Sequence, residues 1–105
     1  KYKIMTIEII EENGSTKALL NGRLDTAAAA DIATQFNQLY EKADHEIVLD
    51  FTNLEYISSS GLRLLIGLRK ESAAKGGKVI IEKINDSIRN VFTMTGFYSL
   101  FEIKD

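Results

Sequence analysis

Residues 47–82, IVLDFTNLEYISSSGLRLLIGLRKESAAKGGKVIIE, decide the fold of this chain. Ile47-Val48-Leu49 is short, apolar and β-rich, as a central strand covered on both faces would be. From Leu62 to about Ala74 the spacing of Leu62, Leu65, Ile66 and Ala73 predicts a helix with one apolar face, stopped by Gly76-Gly77. Lys78-Val79-Ile80-Ile81-Glu82 reads as the next strand. Strand, helix and strand in this order imply a right-handed parallel crossover. Downstream, Asn85-Asp86-Ser87 can cap a third helix carrying Ile88, Val91 and Phe92, with Gly96 as its stop. The tail Leu100-Phe101-Glu102-Ile103 reads as a last short strand.

Upstream, the β-branched run Lys3 to Ile10, the tight-turn pair Asn13-Gly14 and the run Ser15 to Leu20 read as an antiparallel hairpin ending at Asn21-Gly22. Asp25 or Thr26 is placed to cap a helix whose Ala29, Ile32, Phe36, Leu39 and Tyr40 recur at three- or four-residue steps. The expectation is an α/β fold, a single domain over residues 1–105. It has a mixed β-sheet of about five strands, a leading antiparallel hairpin and amphipathic helices packed on it.

The 105 residues suffice for one domain. Hydrophobic residues at 45% and charged residues at 27% are ordinary for a soluble globular chain and exclude a disordered or fibrous one. With 13 Lys and Arg against 15 Asp and Glu, no nucleic-acid partner is expected. The absence of cysteine removes disulfides, thiolate metal sites and a Cys nucleophile, and the single histidine, His45, removes any site needing two imidazoles. No apolar run approaches the roughly 18 residues of a membrane span, and the start lacks a signal-peptide core. A cytoplasmic protein without membrane insertion is expected. No Pro and no low-complexity tract interrupt the chain.

Tyr56-Ile57-Ser58-Ser59-Ser60-Gly61-Leu62 is the most unusual local sequence. It joins a buried strand to an amphipathic helix, so the serines fall where free N–H groups and the helix dipole favour negative charge. An N-cap accounts for one serine. It leaves three in a row, and Gly61 after them, unexplained; a glycine keeps the backbone uncluttered where a partner would approach. No Gly-x-Ser-x-Gly elbow is present, and His45 lies in the polar turn Ala43-Asp44-His45-Glu46, where a solvated imidazole is expected rather than a base. The glycines Gly61 and Gly67 lack phosphate-loop spacing. Glu11-Glu12 at a hairpin tip and Asp86 at a helix start read as solvation and capping. Asp25 reads as a helix cap too, but it shares the loop-to-helix edge with the serines, where α/β proteins place their sites. No enzyme activity, metal or cofactor is expected.

Four stretches, in order, resemble a known family: Leu20-Asn21-Gly22-Arg23-Leu24-Asp25, Ile47 to Leu54, Ile57-Ser58-Ser59-Ser60-Gly61-Leu62, and Val91 to Phe97 with Leu100 to Ile103. The chain resembles the STAS domains, named for sulfate transporters and anti-sigma factor antagonists, and in particular the stand-alone bacterial antagonists. That resemblance implies a regulatory protein that binds a cognate anti-sigma factor, usually a serine kinase, and so releases a sigma factor. Phosphorylation of one serine by the kinase ends the binding, and a PP2C-type phosphatase restores it. The family pattern Asp-Ser-Ser/Thr-Gly puts the phosphoacceptor at Ser59, with Ser60 beside it and Gly61 closing the motif. This chain departs from that pattern at Ser58, where the pattern has Asp.

The implied partner surface comprises Arg23, Asp25, Asn53, Ser58, Ser60, Gly61 and Arg63, with Leu62 expected in the core and the Phe97-Tyr98 corner in packing. A monomer is expected for the free protein. The resemblance also implies an alternative role as an accessory subunit of a larger assembly, a lipid-transporter ATPase or a signalling scaffold, in which the serine is not modified.

Overall fold

The computed structural model describes residues 5–104. Strand β1 (Thr6–Glu12) turns at Asn13-Gly14 into β2 (Ser15–Leu24), pairing antiparallel with Ile7 opposite Leu20. Both turn residues take positive φ, 46° and 80°, the geometry that suits Asn-Gly between right-twisted strands. Strand β2 runs past Asn21-Gly22 to Leu24, four residues further than the hairpin pattern suggests, because its far end finds a new partner. Of the expected first strand, Lys3 and Ile4 lie outside the described residues.

Helix α1 (Thr26–Glu41) follows, then β3 (Glu46–Asp50), β4 (Leu54–Ile57), α2 (Ser59–Lys75), β5 (Lys78–Glu82), α3 (Asp86–Thr95), a 3₁₀ turn (Phe97–Leu100) and β6 (Glu102–Lys104). The sheet order is β1-β2-β3-β5-β6, with β4 pairing β2. After the antiparallel hairpin every pairing is parallel: Ala18 with Leu49, Leu49 with Ile81, Ile81 with Ile103, and Leu24 with Ile57. Strand β4 is the element the sequence reading passed over. It has four residues, two of them exposed, and so carries too short a pattern to register. The tail differs as well: Leu100 closes the 3₁₀ turn and the strand starts at Glu102.

Among the described residues each of the three α-helices begins on a side-chain cap, from Asp25, Ser58 and Asn85, and α2 and α3 end on left-handed glycines, Gly76 and Gly96. The apolar stripe of α1, Ala29, Ile32, Phe36 and Leu39, is buried against the sheet residues Ala18, Leu20, Ile47 and Leu49 in one continuous core. On α2 the buried positions are Leu62, Leu65, Leu68 and Ser72, whereas Ala73 is exposed. The inward face thus keeps the expected Leu62 and Leu65 and continues through Leu68 and Ser72, three and seven residues beyond Leu65, rather than through Ala73. Phe92 of α3 sits between Phe51 and Phe101, with ring centroids at 6.1 and 5.9 Å. Phe97 and Tyr98 pack on the same core.

Alternate strand positions face the other way. There Lys17 lies 3.6 Å from Asp50 and 3.7 Å from Glu82, while Val48 and Ile80 are also buried. Asp50 accepts from both the backbone N (2.8 Å) and the Oγ1 (2.6 Å) of Thr52, which folds the chain out of β3. Burial pushes the Asp50 carboxyl up. The two Thr52 hydrogen bonds and the Lys17 and Lys83 charges more than offset this, and hold it below the usual carboxylate value. A carboxyl depressed in the folded state stabilises above its unfolded pKa, and that contribution disappears as pH falls through the folded value. Asp50→Asn is therefore expected to lower Tm at pH 7, with the gap to the native protein narrowing below about pH 4. Thermal melts across pH check this; a gap constant from pH 7 to pH 3 contradicts it.

Candidate functional site

Two parallel strands, β2 and β4, each run straight into a helix, and this brings two helix N-termini side by side. Leu24 lies opposite Ile57, and the Ser58 N–H donates to the Leu24 carbonyl at 2.8 Å. Asp25 caps α1 by accepting from Ala28 N at 2.8 Å. Ser58 caps α2 by accepting from Gly61 N at 3.2 Å. Ser58 thus fills the capping position that the family pattern gives to Asp, with a neutral oxygen in place of a charged one. Ser59 is the first residue of α2 and is exposed, and Ser60 is half-buried. The four leading N–H groups of such a helix have no backbone partner inside it. The Ser58 N–H is taken by the Leu24 carbonyl and the Gly61 N–H by Ser58 Oγ, which leaves those of Ser59 and Ser60 at the open end of the helix. An anion on Ser59 would meet those groups and the positive end of the dipole.

Arg23, two residues before Asp25, is exposed, and its guanidinium lies 4.4 Å from the centre of the Tyr56 ring, on the adjacent strand. The half-exposed Tyr56 is a surface residue that the sequence reading did not single out. Its signal was its place opposite Arg23, legible only once β4 is known to pair with β2. Arg63 is exposed one turn into α2, and Leu62 is buried. Arg23, Asp25, Ser58, Ser59 and Ser60 therefore gather at the end of β2 and β4.

Two expected members stand apart. Asn53 is exposed, but it lies at the far end of β4 from Ser59. There its carbonyl takes the Gly22 N–H (2.9 Å) and its Nδ2 donates to Asn21 (3.1 Å). Four strand residues place it roughly 13 Å back along the sheet. Gly61 is buried, so no partner reaches it. A methyl group there would come within 2.7 Å of Leu24 Cγ and 2.9 Å of Ile57 Cγ1. Its smallness lets α2 sit down on the two strands, rather than clearing space for an incoming molecule. Gly61→Ala is expected to cost about 1–3 kcal/mol through overpacking against these buried side chains. Urea denaturation reads this directly, and an unchanged midpoint contradicts it.

His45 is not the solvated imidazole expected of a polar turn. It is half-buried, with Nδ1 2.9 Å from Asp44 and Nε2 3.1 Å from Thr16, whose hydroxyl also meets Glu11 at 3.0 Å. Lys42, at 3.1 Å, and Thr16 hold the Glu11 carboxyl below its usual pKa. This chain of groups sits where β3 begins, the opposite end of the parallel strands from Ser59, and Thr16 is fully buried. His45 has no reach to the serine turn. Among the described residues no group of three or more His, Asp and Glu could hold a metal ion, and no helix is long and apolar enough to cross a membrane.

The comparisons with known proteins agree with this architecture. An anti-sigma F factor antagonist of Paenibacillus polymyxa is 28% identical over 96% of this chain and 87% of its own length. The crystal structure of an anti-sigma factor antagonist from Mycobacterium paratuberculosis superposes with a TM-score of 0.84 at 17% identity, covering 95% of this chain and 85% of that one. The Bacillus cell fate determinant SpoIIAA in its phosphorylated form matches with a TM-score of 0.69 at 24% identity, covering 94% and 89%. The STAS domain model matches residues 7–105, and the chain belongs to the STAS domain family.

Proposed function

We propose that this chain is an anti-sigma factor antagonist, a single regulatory domain without catalytic activity of its own. It binds a cognate anti-sigma factor that is also a serine kinase, and it is switched off when that kinase phosphorylates Ser59. The observation that carries the reading is the exposed Ser59 hydroxyl in the first turn of α2, beside the Asp25-capped start of α1. A relative of the same fold exists in a phosphorylated form, which supports a covalent switch on this scaffold.

The partner's surface meets Arg23, Asp25, Ser58, Ser60 and Arg63, with Asn53 at its edge. Its active site must accept a hydroxyl at a helix N-terminus. The phosphate adds about −1.5 to −2 charges. A PP2C-type phosphatase removes it and restores binding. The reading places the protein in the cytoplasm, as a monomer when free.

Incubation with ATP and the cognate anti-sigma kinase, followed by intact-mass measurement and peptide mapping, tests this. One added phosphate on Ser59, absent from Ser59→Ala, is the expected result. No phosphate, or phosphate on Ser58 or Ser60 alone, overturns the assignment of the acceptor.

A further inference from the structure

Ser72 lies thirteen residues along α2 from Ser59, roughly 20 Å at the rise of an α-helix. There the helix ends over a cavity of about 240 Å³. Its walls come from Arg69, Ser72 and Ala73 on α2, Lys78 and Val79 at the start of β5, and Glu102 on β6. The sheet leaves this space open. Strand β6 pairs with β5 only from Ile80 onward, so Lys78 and Val79 extend beyond it.

Ser72 is only 2% exposed, and its hydroxyl is the one buried side-chain oxygen or nitrogen among the described residues with no hydrogen-bond partner. A serine inside a helix ordinarily donates to the carbonyl four residues back or faces water. Here it does neither, and an unpaired buried hydroxyl carries the full cost of its lost hydration. The donors around it are also incompletely used. Arg69 donates from Nε to the Leu100 carbonyl at 2.5 Å, which fixes the guanidinium at the cavity wall with its other N–H groups in reserve. The Lys78 ammonium stands 3.8 Å from Glu46 and 4.0 Å from Glu102, well beyond the roughly 2.8 Å of a good charged hydrogen bond. The C-terminal carbonyls of α2 would repel an anion. The Gly76 and Gly77 N–H groups, however, fold back onto the Ser72 carbonyl, and two cations face the same space.

We propose that this cavity binds a small carboxylate that also carries a hydroxyl or amino group. The carboxylate lies between Arg69 and Lys78 and accepts from the Ser72 hydroxyl, which turns from its buried rotamer toward the cavity as the ligand enters, while the Glu102 carboxylate accepts from the ligand's own donor. Val79 and Leu100 cover its carbon atoms. The volume falls below the roughly 300 Å³ at which drug-sized pockets begin, so the occupant is a metabolite of a few heavy atoms. This assignment rests on no part of the anti-sigma reading and survives its failure.

The test titrates ¹⁵N-labelled protein with L-lactate, L-serine and acetate at constant ionic strength, against sodium chloride. Saturable shifts are expected at the Ala73, Gly77, Lys78 and Val79 amides. Lactate and serine are expected to bind tighter than acetate, and Arg69→Gln to weaken binding at least tenfold. Lys78→Gln is expected to weaken it likewise, and serves if Arg69→Gln unfolds. Ser72→Ala is expected to weaken binding by about tenfold while raising the Tm of the free protein, since it removes the unpaired hydroxyl. The proposal is overturned if none of the three probes gives saturable shifts at these amides. It is overturned equally if binding is unchanged in both cation variants, or if Ser72→Ala lowers Tm.

Discussion

Aspartate in place of Ser59 is expected to weaken binding to the anti-sigma partner by two to three orders of magnitude relative to Ser59→Ala, with little change in Tm. The two halves of this result have one cause. Within the domain the new charge sits at the N-terminus of α2, where unpaired N–H groups and the helix dipole tolerate it. The neighbouring caps, Ser58 on Gly61 N and Asp25 on Ala28 N, are not disturbed. In the complex the same charge must be stripped of water or set against the partner's own charges, which costs several kcal/mol for a buried, unpaired ion. A penalty of about 3–4 kcal/mol corresponds to the stated loss of affinity. Calorimetric titration of Ser59→Ala, Ser59→Asp and the phosphorylated protein checks it. Phosphorylated protein that binds as tightly as Ser59→Ala would sink the switch, and a large fall in Tm for Ser59→Asp would show that the charge acts by unfolding instead.

Phe92→Ala is expected to be the most damaging core substitution, costing about 3–5 kcal/mol. Phe92 is fully buried, edge-on to Phe51 at the end of β3 and tilted against Phe101 at the start of the final strand. Removing it opens a cavity where three chain segments meet, and ring contacts of this kind add to the area lost. Against a typical total stability of about 5–15 kcal/mol, this leaves a marginal domain. Urea unfolding measures it, and hydrogen exchange should show α3 and β6 losing protection before the central strands. A loss under about 1 kcal/mol would mean that α3 is not held by this ring.

The contrast between α1 and β4 shows what a chain pattern can and cannot carry. Helix α1 was legible because four buried positions recur at helical spacing over sixteen residues and a capping Asp25 precedes them. Local chemistry determines such an element. Strand β4 has four residues with only Leu54 and Ile57 buried, and its existence depends on β2 running through its Asn21-Gly22 turn signal to Leu24. The site divides in the same way. Ser59 at a helix start, the Asp25 cap and the exposed Arg63 all followed from local spacing. The roles of Asn53, Gly61 and Tyr56 did not, because each depends on which strand lies alongside.

The amino-acid order by itself determined the alternation of strands and helices, the helix caps, the serine turn and the α/β class, since each arises from contacts within a few residues. Only the folded molecule decided that β4 pairs with β2, that two helix N-termini stand together, that Gly61 is a packing residue and that the Ser72 hydroxyl is left unpaired. Those are properties of segments far apart in the chain, and a neighbour fixed by long-range pairing leaves no periodicity in the residues beside it.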